Sequence, residues 1–179
     1  YNKVRYYKSD LQGVCDSLVY LIADSVLTMY KDPVIWSDSN QLIADTIIII
    51  ITKNEIKQLY LQNAAFITSI DDSARYNQVK GKNMVGYFEK NDLKRLDVFS
   101  NGQSLYYLRD DKLALIGINK SESDDIIIYF EENNISRIKL LTNPKAILYP
   151  DGELEEKELL LKGFKWEEEK RPQHKNDIF

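Results

Sequence analysis

The chain repeats itself, and this constrains its fold more than any other feature. Reading from Asn40-Gln41 through Asp45-Thr46-Ile47, Ile49, Ile51, Asn54, Ile56, Leu59 and Leu61, the same spacing recurs 37 positions on. There it reads Asn77-Gln78, Lys82-Asn83-Met84, Gly86, Phe88, Asn91, Leu93, Leu96 and Val98. After a further 42 positions the later part returns as Ile126, Ile128, Phe130, Asn133, Ile135, Ile138 and Leu140, with Asp124 standing where Asp45 stands. A fainter copy precedes them, where Cys15-Asp16-Ser17-Leu18 parallels Ala44-Asp45-Thr46-Ile47 at an offset of 29. A chain that repeats one short unit stacks that unit, and its stability comes from contacts between neighbours.

Each unit reads as strands. Ile47, Ile49 and Ile51 alternate with a period of two and share one face. Asn54, Asn91 and Asn133 follow as turn residues able to accept left-handed backbone geometry. The next strand carries Ile56, Leu59 and Leu61, whose spacing of three then two implies a bulge. A third strand is expected around Phe66-Ile67 and Ala146-Ile147-Leu148. Helix is the competing reading for Ile56 to Leu61, but the β-branched runs at Ile47–Ile51 and Ile126–Phe130 favour strands. Twelve tyrosines beside only seven glycines and four prolines fit strands joined by Asn, Asp and Ser turns. The open ends of such a stack carry unpaired backbone groups that invite a further β unit.

Composition narrows the function classes. The longest apolar run is too short to span a bilayer. A net charge of −4 argues against nucleic acid, which needs a basic face. One cysteine, Cys15, excludes an internal disulfide and a multi-cysteine zinc site. Cys15 aligns with Ala44 and reads as a small buried residue. The one histidine, His174, sits in a polar tail and reads as solvated. The chain is therefore expected not to be an enzyme and to need no cofactor. Tyr1 opens directly into the strand-like Val4-Arg5-Tyr6-Tyr7, so the chain reads as trimmed of an export leader. Residues 1–150 are expected to form the repeats and 151–179 a C-terminal cap or tail packing on the last strands. Within the tail, Leu154–Lys162 reads as a short helix or irregular cap with Gly163 as its stop, and 170–179 as loosely ordered.

The sequence also resembles a known family. The motifs that carry the resemblance are Tyr6-Tyr7-Lys8-Ser9-Asp10-Leu11-Gln12-Gly13 with Cys15-Asp16-Ser17-Leu18, Asp32-Pro33-Val34-Ile35-Trp36 and Asn40-Gln41-Leu42-Ile43-Ala44-Asp45. Tyr76-Asn77-Gln78-Val79-Lys80-Gly81-Lys82-Asn83-Met84, Gly163-Phe164-Lys165-Trp166 and Arg171-Pro172 complete the set. Together they resemble the OstA-like proteins of Bacteroidota, within the LptA/OstA-like family of periplasmic lipopolysaccharide transport. The resemblance implies a mainly β fold: an elongated β-jellyroll, two sheets forming a V-shaped trough with an apolar interior. It implies lipopolysaccharide as cargo, acyl chains inside the trough and a periplasmic location beside the inner- or outer-membrane machinery. It also implies edge-to-edge joining with other β-jellyrolls of the bridge or with further copies of the chain.

The expected lipid-facing set is Ile47, Ile49, Ile51, Ile56, Leu59 and Leu61 in the first unit. Met84, Phe88, Leu93, Leu96 and Val98 follow in the second, and Ile126, Ile128, Phe130, Ile135, Ile138 and Leu140 in the third. The same pattern would equally serve a closed, dry core. Ile48 and Ile50 fall on the opposite face, where a partner or the C-terminal segment would cover them. Asp16, Asp45 and Asp124 read as turn or bulge residues rather than calcium ligands, since each is isolated from other carboxylates in its unit. Asp71-Asp72 and Asp110-Asp111 read as loop residues. Lys80, Lys82, Lys94, Arg95, Arg137 and Lys139 read as a solvated face, with lipid phosphates at the trough mouth as the alternative. Two other functions compete with the carrier: a β-scaffold docking a partner through its sheet edges, and an envelope-glycan enzyme with paired carboxylates at a cleft.

Overall fold

The computed structural model describes residues 4–72, 74–131 and 134–178, so Asn133 lies outside the described residues. Among the described residues, thirteen antiparallel strands join into one continuous sheet. They are β1 (Val4–Lys8), β2 (Leu11–Cys15), β3 (Ser17–Leu21), β4 (Val26–Tyr30), β5 (Val34–Ser37), β6 (Asn40–Ile43) and β7 (Thr46–Thr52). The long strands β8 (Glu55–Asp72), β9 (Arg75–Glu89), β10 (Asp92–Arg109) and β11 (Leu115–Glu131) follow, then β12 (Asn134–Leu140) and β13 (Lys145–Tyr149).

The sheet folds over on itself into two walls. The first wall runs β3, β4, β7, residues 55–62 of β8, 83–89 of β9, 92–99 of β10, 125–131 of β11, and β12. The second runs β1, β2, β5, β6, residues 65–72 of β8, 75–81 of β9, 102–109 of β10, 115–123 of β11, and β13. Each long strand belongs to both. This corrects the expectation of separate second and third strands in the first unit, where Leu59 and Ile67 lie on the same strand, β8; in the last unit they are separate, with Ile138 on β12 and Ala146-Ile147-Leu148 on β13.

Left-handed residue pairs make the corner between the walls. Asn63-Ala64 have φ of 59° and 48°, and Ser100-Asn101, 37 positions on, have 61° and 59°. Two left-handed residues in succession swing a strand out of its plane and break its pairing register there. Neighbouring strands hold each corner. Asn83 Oδ1 accepts the Asn63 N–H at 3.0 Å, and Asp125 Oδ1 accepts the Ser100 N–H at 3.1 Å. The repeated aspartates line the same crease. The N–H groups of Asp16, Asp45 and Asp124 donate to the carbonyls of Lys31, Asn63 and Thr142. They are corner residues, in keeping with the turn or bulge role.

Two-residue turns close the hairpins of the first wall. Lys53-Asn54 (52°, 63°) and Lys90-Asn91 (52°, 67°) have positive φ at both positions, the geometry that matches the twist of flanking strands. Beyond each turn the register slips by one residue, leaving Lys57, Lys94 and Ser136 as the extra residues. These are the bulges implied by the three-then-two spacing.

The segment after β13 runs back over the outer face of the second wall as far as β1. No α-helix occurs among the described residues: Leu154–Lys162 forms the irregular cap of its two expected readings, with a 3₁₀ turn at Glu156–Glu158, and further 3₁₀ turns follow at Glu168–Lys170 and Lys175–Ile178. Gln78 in β9 donates to the Leu159 carbonyl and accepts the Leu161 N–H, both at 2.8 Å. Gln41 in β6 repeats this six residues later, donating to the Lys165 carbonyl and accepting the Glu167 N–H at 2.7 Å each. Gln12 in β2 accepts from Arg171 Nε at 2.8 Å, six residues further on, and Lys120 in β11 donates to the Glu158 carbonyl at 2.9 Å. Gln12, Gln41, Gln78 and Lys120 are separated by 29, 37 and 42 positions, the offsets of the sequence repeat. The strap has a matching period of its own, with turns closing at Glu155–Glu158, Leu161–Phe164 and Glu167–Lys170.

Apolar burial holds the strap down. Leu154, Leu159 and Leu161 pack on Leu105, Tyr107 and Ile118. The Phe164 ring lies 5.2 Å from Tyr76 and 6.4 Å from Phe66, and Trp166 lies 5.2 Å from Tyr76. Arg171 and buried Pro172 are docked rather than loose, and the Asp177 carbonyl accepts from Arg5 in β1 at 3.1 Å.

Candidate functional site

The space between the walls holds one apolar cluster, and the expected set converges on it. Every residue of that set except Leu93 belongs to this cluster or packs against it. Leu93 lies on the same side: its Cδ1 is 3.2 Å from where a Cβ on Gly86 would stand, and Gly86 pairs with Leu59 and Leu96. The period-two pattern and its bulges therefore point all these side chains inward, as the pleat requires.

Depth divides the set. Ile47, Leu61, Val98 and Ile126, in the row nearest the corner, have no exposure, and neither does Ile128 one inward position further out. The crease is tight enough that a Cβ on Gly81 would stand 2.5 Å from Val98, and one on Gly102 2.8 Å from Ile126. Ile51, Ile56, Phe88, Phe130 and Ile135, beside the hairpin turns, are only partly buried. The interior is thus fully buried near the crease and only partly buried along the rim of the first wall.

The second wall supplies the facing side, whose residues lie outside the expected set. Ile35 and Ala65 are part of the cluster, with Leu11, Leu42, Ile67 and Val79 packed against it. Ile67 points inward, while its neighbour Phe66 points out to the strap. Period-two alternation could have assigned both, but the unrecognised corner at Asn63-Ala64 hid the change of wall. The other signal was Leu42, which sits inside the recognised Asn40–Asp45 motif.

Charge is kept outside. Cross-strand pairing puts Tyr87, Arg95, Tyr129 and Arg137 side by side on the outer face of the first wall. Arg95 is bidentate to Asp97 at 2.6 and 2.7 Å, and Arg137 and Lys139 lie over the Tyr129 ring at 4.3 and 5.5 Å. The Asp97 carboxylate beside it raises the Arg95 pKa above its ordinary value. Lys94 pairs with Asp92, and Lys80 donates to the Lys162 carbonyl of the strap. Arg95, Arg137 and Lys139 thus lie on the outer face of the first wall, and Lys80 on the strap side of the second. Ile48 and Ile50 lie on the same outer face, against Tyr60 and Gln58, and the strap does not reach them. Asp71 and Asp72 lie at the end of β8 and hold Arg109 at 2.5 and 3.2 Å, rather than standing in a loop. Cys15 is buried in the cluster, and desolvation pushes its thiol above the ordinary range. No group of three or more His, Cys, Asp or Glu able to hold a metal occurs among the described residues. No helix among them is long and apolar enough to cross a membrane.

The sequence matches no protein-family model, and no curated protein matches it. Among solved structures the chain is similar to the crystal structure of LptH from Pseudomonas aeruginosa, described as the LptA-homologous periplasmic component of the conserved lipopolysaccharide transport device. The TM-score is 0.59 and the identity 14%, over 80% of this chain and 100% of that one. A likeness at that identity is one of fold. The repeat, the crease between two walls and the shared interior accord with that likeness, and the fold is an LptA-like β-jellyroll.

Proposed function

We propose that the chain is a non-enzymatic carrier or bridge for lipopolysaccharide, working in the periplasm as an OstA-like member of the LptA-like jellyrolls. The observation that carries this reading is the apolar interior only partly buried along one rim, from Ile51 and Ile56 through Phe88 to Phe130 and Ile135. Exposing one methylene to water costs about 0.8 kcal/mol, so an acyl chain of a dozen costs on the order of 10 kcal/mol. A carrier has to replace that water continuously, and a rim of Ile, Leu and Phe does so without specific polar contacts. In this reading residues 1–150 form the conduit and 151–179 the strap. The edge strands then join neighbours, β1 and β3 at one end and β12 and β13 at the other. Val19 and Leu21 near one end, and Ile147 and Leu148 at the other, are exposed as such joints require.

A second reading is a lipid-free envelope scaffold. The observation favouring it is the complete burial of Ile47, Val98 and Ile126, a dry core where the walls meet.

The test is to incubate the purified chain with lipopolysaccharide and measure bound lipid after gel filtration. The carrier reading expects lipid to co-migrate, and Phe88→Asp or Phe130→Asp to abolish this while circular dichroism stays native. A well-folded chain that takes up no lipopolysaccharide would leave the scaffold.

A further inference from the structure

One interior row of the second wall changes character partway along. Cross-strand pairing sets Gly13, Ile35, Leu42, Ile67 and Val79 in line, and the next two positions are Ser104 and Ser121. Ser104 is 2% exposed, and its Oγ has no hydrogen-bond partner. A buried hydroxyl without a partner destabilises a fold, and alanine, which fills the following position at Ala146, would serve packing better. Other uncharged polar groups stand beside it. Ser121 Oγ donates to Asn119 Oδ1 at 2.6 Å, and Asn119 faces Tyr106 across β10 and β11.

We propose that Ser104, with Ser121, Asn119 and Tyr106, is a hydrogen-bonding station for a neutral oxygen-bearing group, a hydroxyl, ester or amide, on an otherwise apolar chain. The inference rests on the carrier reading. It adds that the conduit distinguishes positions along its cargo rather than passing any hydrocarbon. The four residues include no cation, so a carboxylate or phosphate placed there would be desolvated without a counter-charge, and that excludes anionic groups. Ser104 Oγ is closed to water, so the walls part at this point when cargo enters. The orphan hydroxyl then gains the partner it lacks in the empty protein.

The test uses the full chain and displacement of a fluorescent polyene fatty acid. The competitors are tetradecanoate and a series of hydroxytetradecanoates differing only in the position of one hydroxyl. The station predicts that one position of the hydroxyl binds about fivefold tighter than the plain chain, the worth of a neutral hydrogen bond. Ser104→Ala removes that preference and leaves tetradecanoate binding unchanged, whereas Ser104→Thr, which keeps a hydroxyl, retains it. Tetradecanoate binding with no hydroxyl preference overturns the station and leaves the carrier reading standing, as does a preference that survives Ser104→Ala. Failure of every chain to bind overturns both.

Discussion

Gln78 holds Leu159 across 81 residues of sequence, its side-chain amide donating to the Leu159 carbonyl at 2.8 Å. The same amide accepts from Leu161, so one buried glutamine satisfies both a donor and an acceptor of the strap backbone. Gln41 does the same one strap turn later. Recognition through the backbone explains how a strap with little internal sequence likeness follows the period of the sheet.

Replacing Gln78 with leucine strands the Leu159 carbonyl and the Leu161 N–H beneath an apolar side chain. The expected loss is about 1–3 kcal/mol in denaturant unfolding. Limited proteolysis is expected to cut within 154–162 faster in this variant than in the parent. Equal protection of the strap in both would show that Leu159 and Leu161 packing alone holds it.

The hairpin turns carry a second stitch. Asn91 accepts the Ile56 N–H at 2.8 Å while holding its own backbone at a φ of 67°. Asn91→Gly keeps the turn and loses the bond, and is expected to cost about 0.5–1.5 kcal/mol. Asn91→Ala loses the bond and also forces a Cβ into left-handed geometry, adding roughly 1 kcal/mol. Thermal unfolding should rank the parent above Asn91→Gly and Asn91→Ala lowest. An alanine variant as stable as the glycine one would remove the strain argument.

How far the sequence could be read follows from these residues. Alternation gave the direction of Ile47, Ile49 and Ile51, and the irregular spacing of Ile56, Leu59 and Leu61 located a bulge, because both are local consequences of a pleated strand. The crease at Asn63-Ala64 was not legible. Alanine is no signal for left-handed backbone, and strand-forming residues continue on both sides. Gln41 and Gln78 were visible as matching positions of the repeat, but a strand glutamine reads as solvent-facing until its partner, 124 or 81 residues away, is known. Of the two readings of Leu154–Lys162, a short helix or an irregular cap, the segment forms the cap, with one 3₁₀ turn. Its leucines are used against Leu105, Tyr107 and Ile118, and past one turn closed by Glu155–Glu158 and Glu156–Leu159 the Leu159 carbonyl and Leu161 N–H go to Gln78 and the Glu158 carbonyl to Lys120.

The end of the strap should respond to acid. The N–H groups of His174 and Gln173 donate to the Asp177 carboxylate and hold its pKa below the ordinary aspartate value. A depressed folded-state pKa stabilises the ionised form, so the turn is favoured above the ordinary value and loses that support as pH falls through the folded one. The Gln173 amide resonance, followed from about pH 5 to pH 2, is expected to move with a midpoint below about 3.9, the value for an unperturbed aspartate. Asp177→Asn should remove the transition. A midpoint at or above the unperturbed value would mean that the turn does not depend on this carboxylate.

The central claim is that cargo lies between the walls, against the rim of the first. Site-specific photocrosslinking addresses it directly, with a photoreactive residue placed singly at Phe88, Phe130 or Ile48 in otherwise unaltered protein exposed to lipopolysaccharide. Adducts are expected at Phe88 and Phe130, which face the interior, and none at Ile48, which faces outward on the same wall. Adducts at Ile48 alone, or equally at all three positions, would contradict it.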